Sequence, residues 1–111
     1  MLAYEASGEG LPVVLIHAFP LSHRIWREQI SALKEISSVI APDLPGFGDS
    51  PRQESPSIPQ MATEIARLLD HLKVSKPVVV AGLSMGGYVA FAMYRLAHRY
   101  FGGLILADTR A

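Results

Sequence analysis

The chain has 111 residues, half of them hydrophobic, and its ten basic and ten acidic side chains give a formal net charge of zero. This length allows one domain at most, and the absence of a basic stripe argues against a nucleic-acid partner. Cysteine is absent, which excludes disulfides and thiolate metal sites and is compatible with a reducing compartment. The sequence has no signal-peptide pattern and no apolar run near the ~20 residues of a membrane helix. We therefore expect a soluble cytoplasmic domain without a membrane partner.

The first part of the chain alternates strand signals with a helix signal. Residues 2–6 predict a short strand, and the β-branched apolar run 13–17 is typical of a strand buried on both faces. Apolar residues then recur at helical spacing over 26–33, which predicts a first helix with Ser22 as its N-cap. Residues 38–41 predict another short strand.

The second part repeats this alternation after a long loop. Segment 43–59 is rich in proline, glycine and serine and predicts that loop. Apolar residues at helical spacing over 61–72 predict a second, amphipathic helix. The apolar run 78–83 predicts a buried strand, residues 84–99 a third helix, and residues 104–107 a last strand.

Strands that alternate with helices predict the α/β class, with a mostly parallel sheet of about five strands, right-handed crossovers and helices on both faces. Ligands of such sheets bind beyond the carboxyl ends of the strands. Polar residues stand at the carboxyl ends of the predicted strands, namely His17, Asp43, Ser84 and Asp108. We therefore expect a functional site at this edge of the sheet.

The pentapeptide Gly82-Leu83-Ser84-Met85-Gly86 lies between a predicted strand and a predicted helix. A serine flanked by glycines at such a turn is typical of a nucleophile elbow, because neighbouring backbone must pass close to both glycines. The serine needs a base, usually a histidine oriented by a carboxylate, and its oxyanion needs two donors. Met85 would supply one backbone N–H, and the loop after strand 13–17 the other. The alternative is a helix N-cap whose glycines serve only packing.

Three segments resemble, in order, the motifs of the N-terminal part of an α/β-hydrolase-fold protein. His17-Ala18-Phe19-Pro20 resembles the family's His-Gly-x-Pro oxyanion loop, with alanine in place of glycine. Segment 43–50 resembles its Asp-x-x-Gly-x-Gly-x-Ser loop, and segment 82–87 its Gly-x-Ser-x-Gly-Gly elbow. The similarity covers nearly the whole chain and is closest to small esterase, lactonase and haloperoxidase-like members.

This resemblance implies the roles of the site residues. Ser84 would attack the carbonyl of a carboxylic ester or lactone, forming an acyl-enzyme that water releases. Phe19 and Met85 would donate the oxyanion hydrogen bonds from their backbone N–H groups, and His17 would brace the oxyanion loop. A small-molecule substrate is implied, and neither a cofactor nor a metal.

The proton-transfer residues are harder to find. The family's triad runs serine, then an acid, then histidine, and only Asp108 and His98 are available after Ser84. His98 lies 14 residues beyond Ser84 on one predicted helix, which separates them by about 21 Å. His71 closes the second helix at the opposite edge of the sheet. His17 and His23 lie on the correct side, and either remains an alternative base.

Asp108 has two possible roles. It is either the triad acid or a structural carboxylate that caps a loop or binds Arg110. We therefore expect residues 1–111 to be a single partial domain that lacks the C-terminal strands and the lid, with open sheet edges that allow self-association. The chain would then be a serine hydrolase that is inactive or incomplete by itself. The alternatives are a non-catalytic truncated fragment and a small-ligand-binding α/β module.

Three further expectations concern packing. Asp43 is expected to hydrogen-bond the backbone of its own loop, with direct contact to substrate as the alternative. Trp26 is expected in the core, with a place in the pocket wall as the alternative. The spacing of Met85, Tyr88 and Ala92 predicts that this face of the third helix packs on the sheet.

Overall fold

A computed structural model describes residues 1–75 and 77–109 and contains one five-stranded sheet. The strands are Tyr4–Ser7 (β1), Leu11–Ile16 (β2), Ser37–Pro42 (β3), Val78–Leu83 (β4) and Phe101–Ala107 (β5). The α-helices are Arg27–Leu33 (α1), Ile58–His71 (α2) and Met85–Ala97 (α3), with 3-10 turns at His23–Trp26 and His98–Tyr100. No helix within the described ranges is both long and apolar enough to cross a membrane.

The sheet has the order β1-β3-β2-β4-β5 and is mostly parallel, as predicted. Strand β2 pairs in parallel with β3 and β4, and β4 pairs in parallel with β5. Strand β1 is the exception and runs antiparallel to β3. Only a short turn joins β1 to β2, and such a connection is too short for the crossover that a parallel arrangement requires.

Helices cover both faces of the sheet because the central strands alternate their side chains between two apolar clusters. Val14 and Ile16 face α2 and α3, whereas Val13 and Leu15 face α1. Trp26 packs against the α1 cluster but is only half-buried, at the margin of the core in which it was expected. The predicted α/β architecture is therefore confirmed.

The predicted loop 43–59 ends earlier than expected, because a capping box starts α2 at Ile58. The Ser57 side chain accepts a hydrogen bond from the amide of Gln60, whose own side chain accepts one from the amide of Ser57. Pro59 falls in the first turn, where a helix amide has no intrahelical partner, so proline is tolerated there. The prediction that proline still belonged to the loop was wrong.

Most of the other boundaries shift by one to three residues, and two of the differences have a clear cause. Ser22 is an N-cap, but of the 3-10 turn that precedes α1. Strand β5 starts at Phe101 rather than residue 104, since Gly103 is paired with Val79 of β4. The sheet ladder thus overrides the weak strand preference of the two glycines in this segment.

Strand β5 lies at one edge of the sheet and is poorly covered. Leu104, Ile105 and Leu106 are 36%, 54% and 38% exposed. An apolar cavity of about 270 Å³ lies between β5 and the α1 side of the sheet, with Trp26 and Ile105 in its wall. The outer side of β5 pairs with no strand of the described residues.

Candidate active site

Ser84 occupies a tight turn between β4 and α3. Its backbone has φ 55° and ψ −114°, a conformation that is rare and strained for a residue with a side chain. Its amide donates to the carbonyl of Ala107 at 2.9 Å, and its carbonyl accepts from the amide of Gly87 at 2.9 Å. The serine is thus held where β4 meets α3, as an elbow requires. Helix α3 begins at Met85, one residue later than predicted.

Both glycines of the elbow are required by close backbone approach. A Cβ atom at Gly82 would lie 2.3 Å from the carbonyl oxygen of Gly86. A Cβ atom at Gly86 would lie 2.3 Å from the carbonyl oxygen of Ile16 and 2.7 Å from that of His17. The elbow therefore packs directly on the end of β2, where the predicted oxyanion loop starts.

The buried imidazole of His17 organises that loop. Its Nε2 accepts a hydrogen bond from the amide of Leu44 at 2.9 Å, so the proton of the neutral ring is on Nδ1. Nδ1 donates to the carbonyl of Ala18 at 2.9 Å. Burial lowers the pKa of His17, although the hydrogen bond to Ala18 and the nearby Asp43 carboxylate oppose the shift. His17 is therefore a neutral brace.

The carbonyl of Ala18 is held from two sides, which sets the direction of the next amide. Besides His17 it accepts a hydrogen bond from the amide of Leu21 at 2.9 Å. In a planar trans peptide the C=O and the following N–H point in opposite directions. The N–H of Phe19 is thus directed away from the buried imidazole. Ala18 is absent from the described residues with positive φ, so alanine replaces the motif's glycine without backbone strain.

Phe19 and Met85, the two predicted oxyanion donors, line one cavity of about 440 Å³. Its wall is largely apolar, and it includes Phe47, whose ring lies edge-on to those of Phe19 and His17. Arg52 supplies the charge in this lining. The structure therefore brings the two predicted donors to the same apolar space beside the elbow.

A second, more polar cavity of about 310 Å³ contains the serine in its wall. It is lined by Ser84, Tyr88, Asp108 and Thr109. The hydroxyl of Thr109 donates to the carbonyl of Ser84 at 2.8 Å. Tyr88 is 42% exposed here, so the prediction that it packs on the sheet was wrong. The helical spacing fits, but Tyr88 lies in the first turn of α3 and lines this cavity instead of the sheet.

Asp108 lies beside Ser84, as its position at the end of β5 predicts. It has φ 48°, which fits a residue that turns the chain at the end of a strand. Its proposed partner Arg110 lies outside the described residues. The structure therefore brings Asp108 and Ser84 together in one cavity and leaves both of its predicted roles open.

The histidines lie away from the serine or are held by a hydrogen bond at a ring nitrogen. His23 Nδ1 lies 2.8 Å from Asp43 Oδ1, and its Nε2 lies 3.5 Å from Glu5. His71 ends α2 and His98 follows α3, at the edge of the sheet opposite Ser84. The parallel topology enforces this separation, because the helix that precedes a strand ends where that strand begins.

Asp43 is a buried structural carboxylate, as expected from its place in the loop. Its side chain is 1% exposed and accepts hydrogen bonds from the amides of His23 and Asp49 at 2.8 and 2.9 Å. Burial acts to raise the pKa of Asp43, but the hydrogen bonds from Asp49 and His23 outweigh it and lower the pKa. Its alternative role in direct substrate contact is wrong, because no solvent-facing carboxylate oxygen is left. The sequence motif placed Asp43 but gave no signal for its pairing with His23.

The described residues contain no cluster of three or more histidine or acidic side chains that could hold a metal ion.

Comparison with known proteins shows the family. A family model described as alpha/beta hydrolase fold matches residues 12–110. The chain is 45% identical over 89 residues to a soluble epoxide hydrolase of Corynebacterium sp. (strain C12), covering 79% of this chain and 31% of that protein. Overall, it spans about a third of the length of the first curated relatives that it matches.

Solved structures agree with this assignment. A thermophilic esterase from Thermogutta terrifontis, solved with malate bound, has a TM-score of 0.96 at 47% identity and covers 99% of this chain and 41% of its own. Est816, described as an N-acyl homoserine lactone degrading enzyme, has a TM-score of 0.93 at 29% identity, with coverages of 97% and 42%. With the family model matching nearly the whole chain and the same fold in these structures, the protein belongs to the α/β-hydrolase fold family.

Proposed function

We propose that this chain carries the nucleophile half of a hydrolase that acts on carboxylic esters or lactones through an acyl-enzyme on Ser84. The observation that carries the proposal is a serine in a strained elbow beside a cavity that Phe19 and Met85 both line. The serine Oγ attacks the carbonyl carbon, and the amides of Phe19 and Met85 stabilise the oxyanion. The ester C–O bond then breaks and the alkoxide takes up the proton lost by the serine, so that an ester releases its alcohol and a lactone ring opens. Water then cleaves the acyl-enzyme to release the acid and regenerate the serine hydroxyl.

Serine chemistry favours esters and lactones over epoxides, although one relative is an epoxide hydrolase. An acyl-serine is itself an ester, so water can cleave it and regenerate the enzyme. Attack of the Ser84 hydroxyl on an epoxide carbon would form an ether, which water does not cleave under physiological conditions. Turnover on an epoxide would therefore stop after one event. The esterase and the lactone-degrading enzyme among the similar structures support the same choice.

The cavity beside the oxyanion donors supports an apolar substrate group. Its lining includes Phe19, Phe47, Ile58, Met61 and Met85, and about 440 Å³ is within the usual range for small-molecule sites. We place the apolar part of the substrate there. The polar cavity with Tyr88 and Asp108 would then face the other side of the reacting carbonyl.

We further propose that the chain is slow by itself because the proton-transfer half is incomplete. Both ring nitrogens of His17 are hydrogen-bonded, Nδ1 of His23 is bonded to Asp43, and His71 and His98 lie at the opposite edge of the sheet. Asp108 lines the same cavity as Ser84, and it would act as the triad acid only if a histidine were supplied.

Labelling with a fluorophosphonate probe, with and without added imidazole, tests this function. We expect slow labelling that free imidazole accelerates about 10-fold or more, since it supplies the missing general base. Peptide mapping should place the label on Ser84, Ser84→Ala should abolish it, and Ser31→Ala in α1 is the matched control.

Rapid labelling without imidazole would contradict the incomplete triad, and a label on another serine would contradict the nucleophile assignment. If imidazole produces no label while a short-chain carboxylic acid still binds the cavity by calorimetry, the chain is a small-ligand-binding module instead.

A further inference from the structure

We propose that His23 and Asp43 form a clamp that positions the oxyanion loop, residues 17–23, against the elbow. In the clamp His23 is a positioning residue and Asp43 is its anchor. This inference rests on the proposed function only for its effect on reactivity, because the geometry of the loop can be measured without any reaction.

Both ends of the oxyanion loop are fixed to one dipeptide at the end of β3. At the first end, His17 Nε2 accepts from the amide of Leu44 at 2.9 Å. At the other end, the amide and the ring Nδ1 of His23 both lie 2.8 Å from Asp43 Oδ1. The loop therefore has two anchors a few residues apart, with Phe19 between them.

The anchor itself cannot shift, because each oxygen of Asp43 has a partner. Oδ2 accepts from the amide of Asp49 at 2.9 Å, and the main-chain oxygen accepts from the hydroxyl of Ser50. A Cβ atom at Gly48 would lie 2.3 Å from this carboxylate, so the neighbouring backbone encloses it. An anion this enclosed holds His23 in one place.

The ring of His23 adds direction to the bond that its amide makes. One hydrogen bond allows the loop to pivot about a carboxylate oxygen, whereas two bonds from the same residue to that oxygen fix its orientation. The Nε2 side faces Glu5, which is 46% exposed at 3.5 Å and contributes little in water. The ring of His23 therefore acts in the clamp through its Nδ1–Asp43 bond and not through the Nε2–Glu5 contact.

Three variants separate this role from general stability. His23→Leu removes the ring donor, and His23→Asn restores a side-chain N–H near the position of Nδ1. Arg24→Gln is the matched control, because Arg24 is the next residue and its ion pair with Asp49 is exposed at both ends, 64% and 68%.

The first measurement is hydrogen exchange of the Leu21 amide by NMR, which reports the turn that holds the Ala18 carbonyl. We expect it to exchange about 10-fold faster in His23→Leu, as for one lost hydrogen bond to a charged group. His23→Asn should restore it to within about 3-fold, and Arg24→Gln should leave it unchanged. The Ser84 amide, bonded to Ala107, is the internal reference for global opening.

The second measurement is the imidazole-assisted labelling rate of Ser84, which should fall about 10-fold in His23→Leu and recover in His23→Asn. The clamp would be overturned if hydrogen exchange accelerated equally at the Leu21 and Ser84 amides. It would also be overturned if His23→Asn restored neither the exchange rate nor the labelling rate. If the wild-type chain takes no label at all, the proposed function fails, while the exchange of Leu21 still decides the clamp.

Discussion

The Nε2 atom of His17 accepts a hydrogen bond of 2.9 Å from the backbone amide of Leu44. An amide can only donate, so this contact keeps Nε2 unprotonated and fixes the neutral tautomer. A protonated imidazole would have to break the contact. The loop of residues 17–23 is therefore tied to the end of β3 by a bond that requires a neutral histidine.

This bond predicts a loss of stability on mild acidification. Burial lowers the pKa of His17 below its ordinary value of 6.5, so the unfolded chain takes up the proton first. The contribution of neutral His17 to the free energy of unfolding is complete above about pH 6.5. It is lost as the pH falls from there toward the lowered pKa. Urea unfolding between pH 8 and pH 5 should show a steeper loss in the wild-type chain than in His17→Asn. Parallel curves would contradict this account.

For Asp43 we expect a second loss of stability, at lower pH. Its pKa is lowered in the folded chain, so its contribution is present above the ordinary value of about 3.8 and is lost as the pH falls through the lowered pKa. Asp43→Asn should therefore be less stable than wild type at pH 6 and approach it at pH 3. The measurement is the urea midpoint at both values, and a difference that does not change with pH would refute the prediction.

Ser84 predicts a gain in stability on substitution by glycine. Its φ of 55° with ψ of −114° costs on the order of 1–3 kcal/mol for any residue with a Cβ atom. We expect Ser84→Gly to raise the free energy of unfolding by about 1 kcal/mol relative to Ser84→Ala, after the entropic cost of glycine. Urea unfolding of the two variants checks this, and equal stabilities would argue against a strained elbow.

At Gly86 we expect the opposite effect, a loss of stability when a side chain is added. A Cβ atom there would collide with the main chain at the end of β2, 2.3 Å from the oxygen of Ile16. We expect Gly86→Ala to lower the free energy of unfolding by about 2–3 kcal/mol. Gly103→Ala is the control, since its nearest atom would be at an ordinary 3.6 Å. A loss of similar size in both variants would contradict the close approach.

The β5 edge predicts self-association through a second copy of the chain. This strand pairs with β4 on one side and has Ile105 54% exposed in its middle. Open edges with aliphatic side chains favour strand pairing between chains, and lysine disrupts it. Sedimentation velocity should give a concentration-dependent mass for wild type and a monomer for Ile105→Lys. A monomeric wild type at all concentrations would rule this out.

The sequence was most informative where local chemistry is decisive. The strand 78–83 was predicted with its observed bounds, because a β-branched apolar run that leads into the turn at Ser84 has few other conformations. The boundary of α2 was missed, although the serine and glutamine of the capping box are visible in the sequence, because proline at Pro59 was assigned to the loop. Local signals thus placed the elements but not all of their ends.

By itself, the sequence determined the α/β class, the elbow at Ser84 and the loop that carries Phe19, since each depends on residues adjacent in the chain. Only the tertiary structure decided which partners these residues meet. The bonds of His17 to Leu44 and of His23 to Asp43 join segments that are distant in sequence. No local pattern encodes them, because the register of the parallel sheet brings the two loops together.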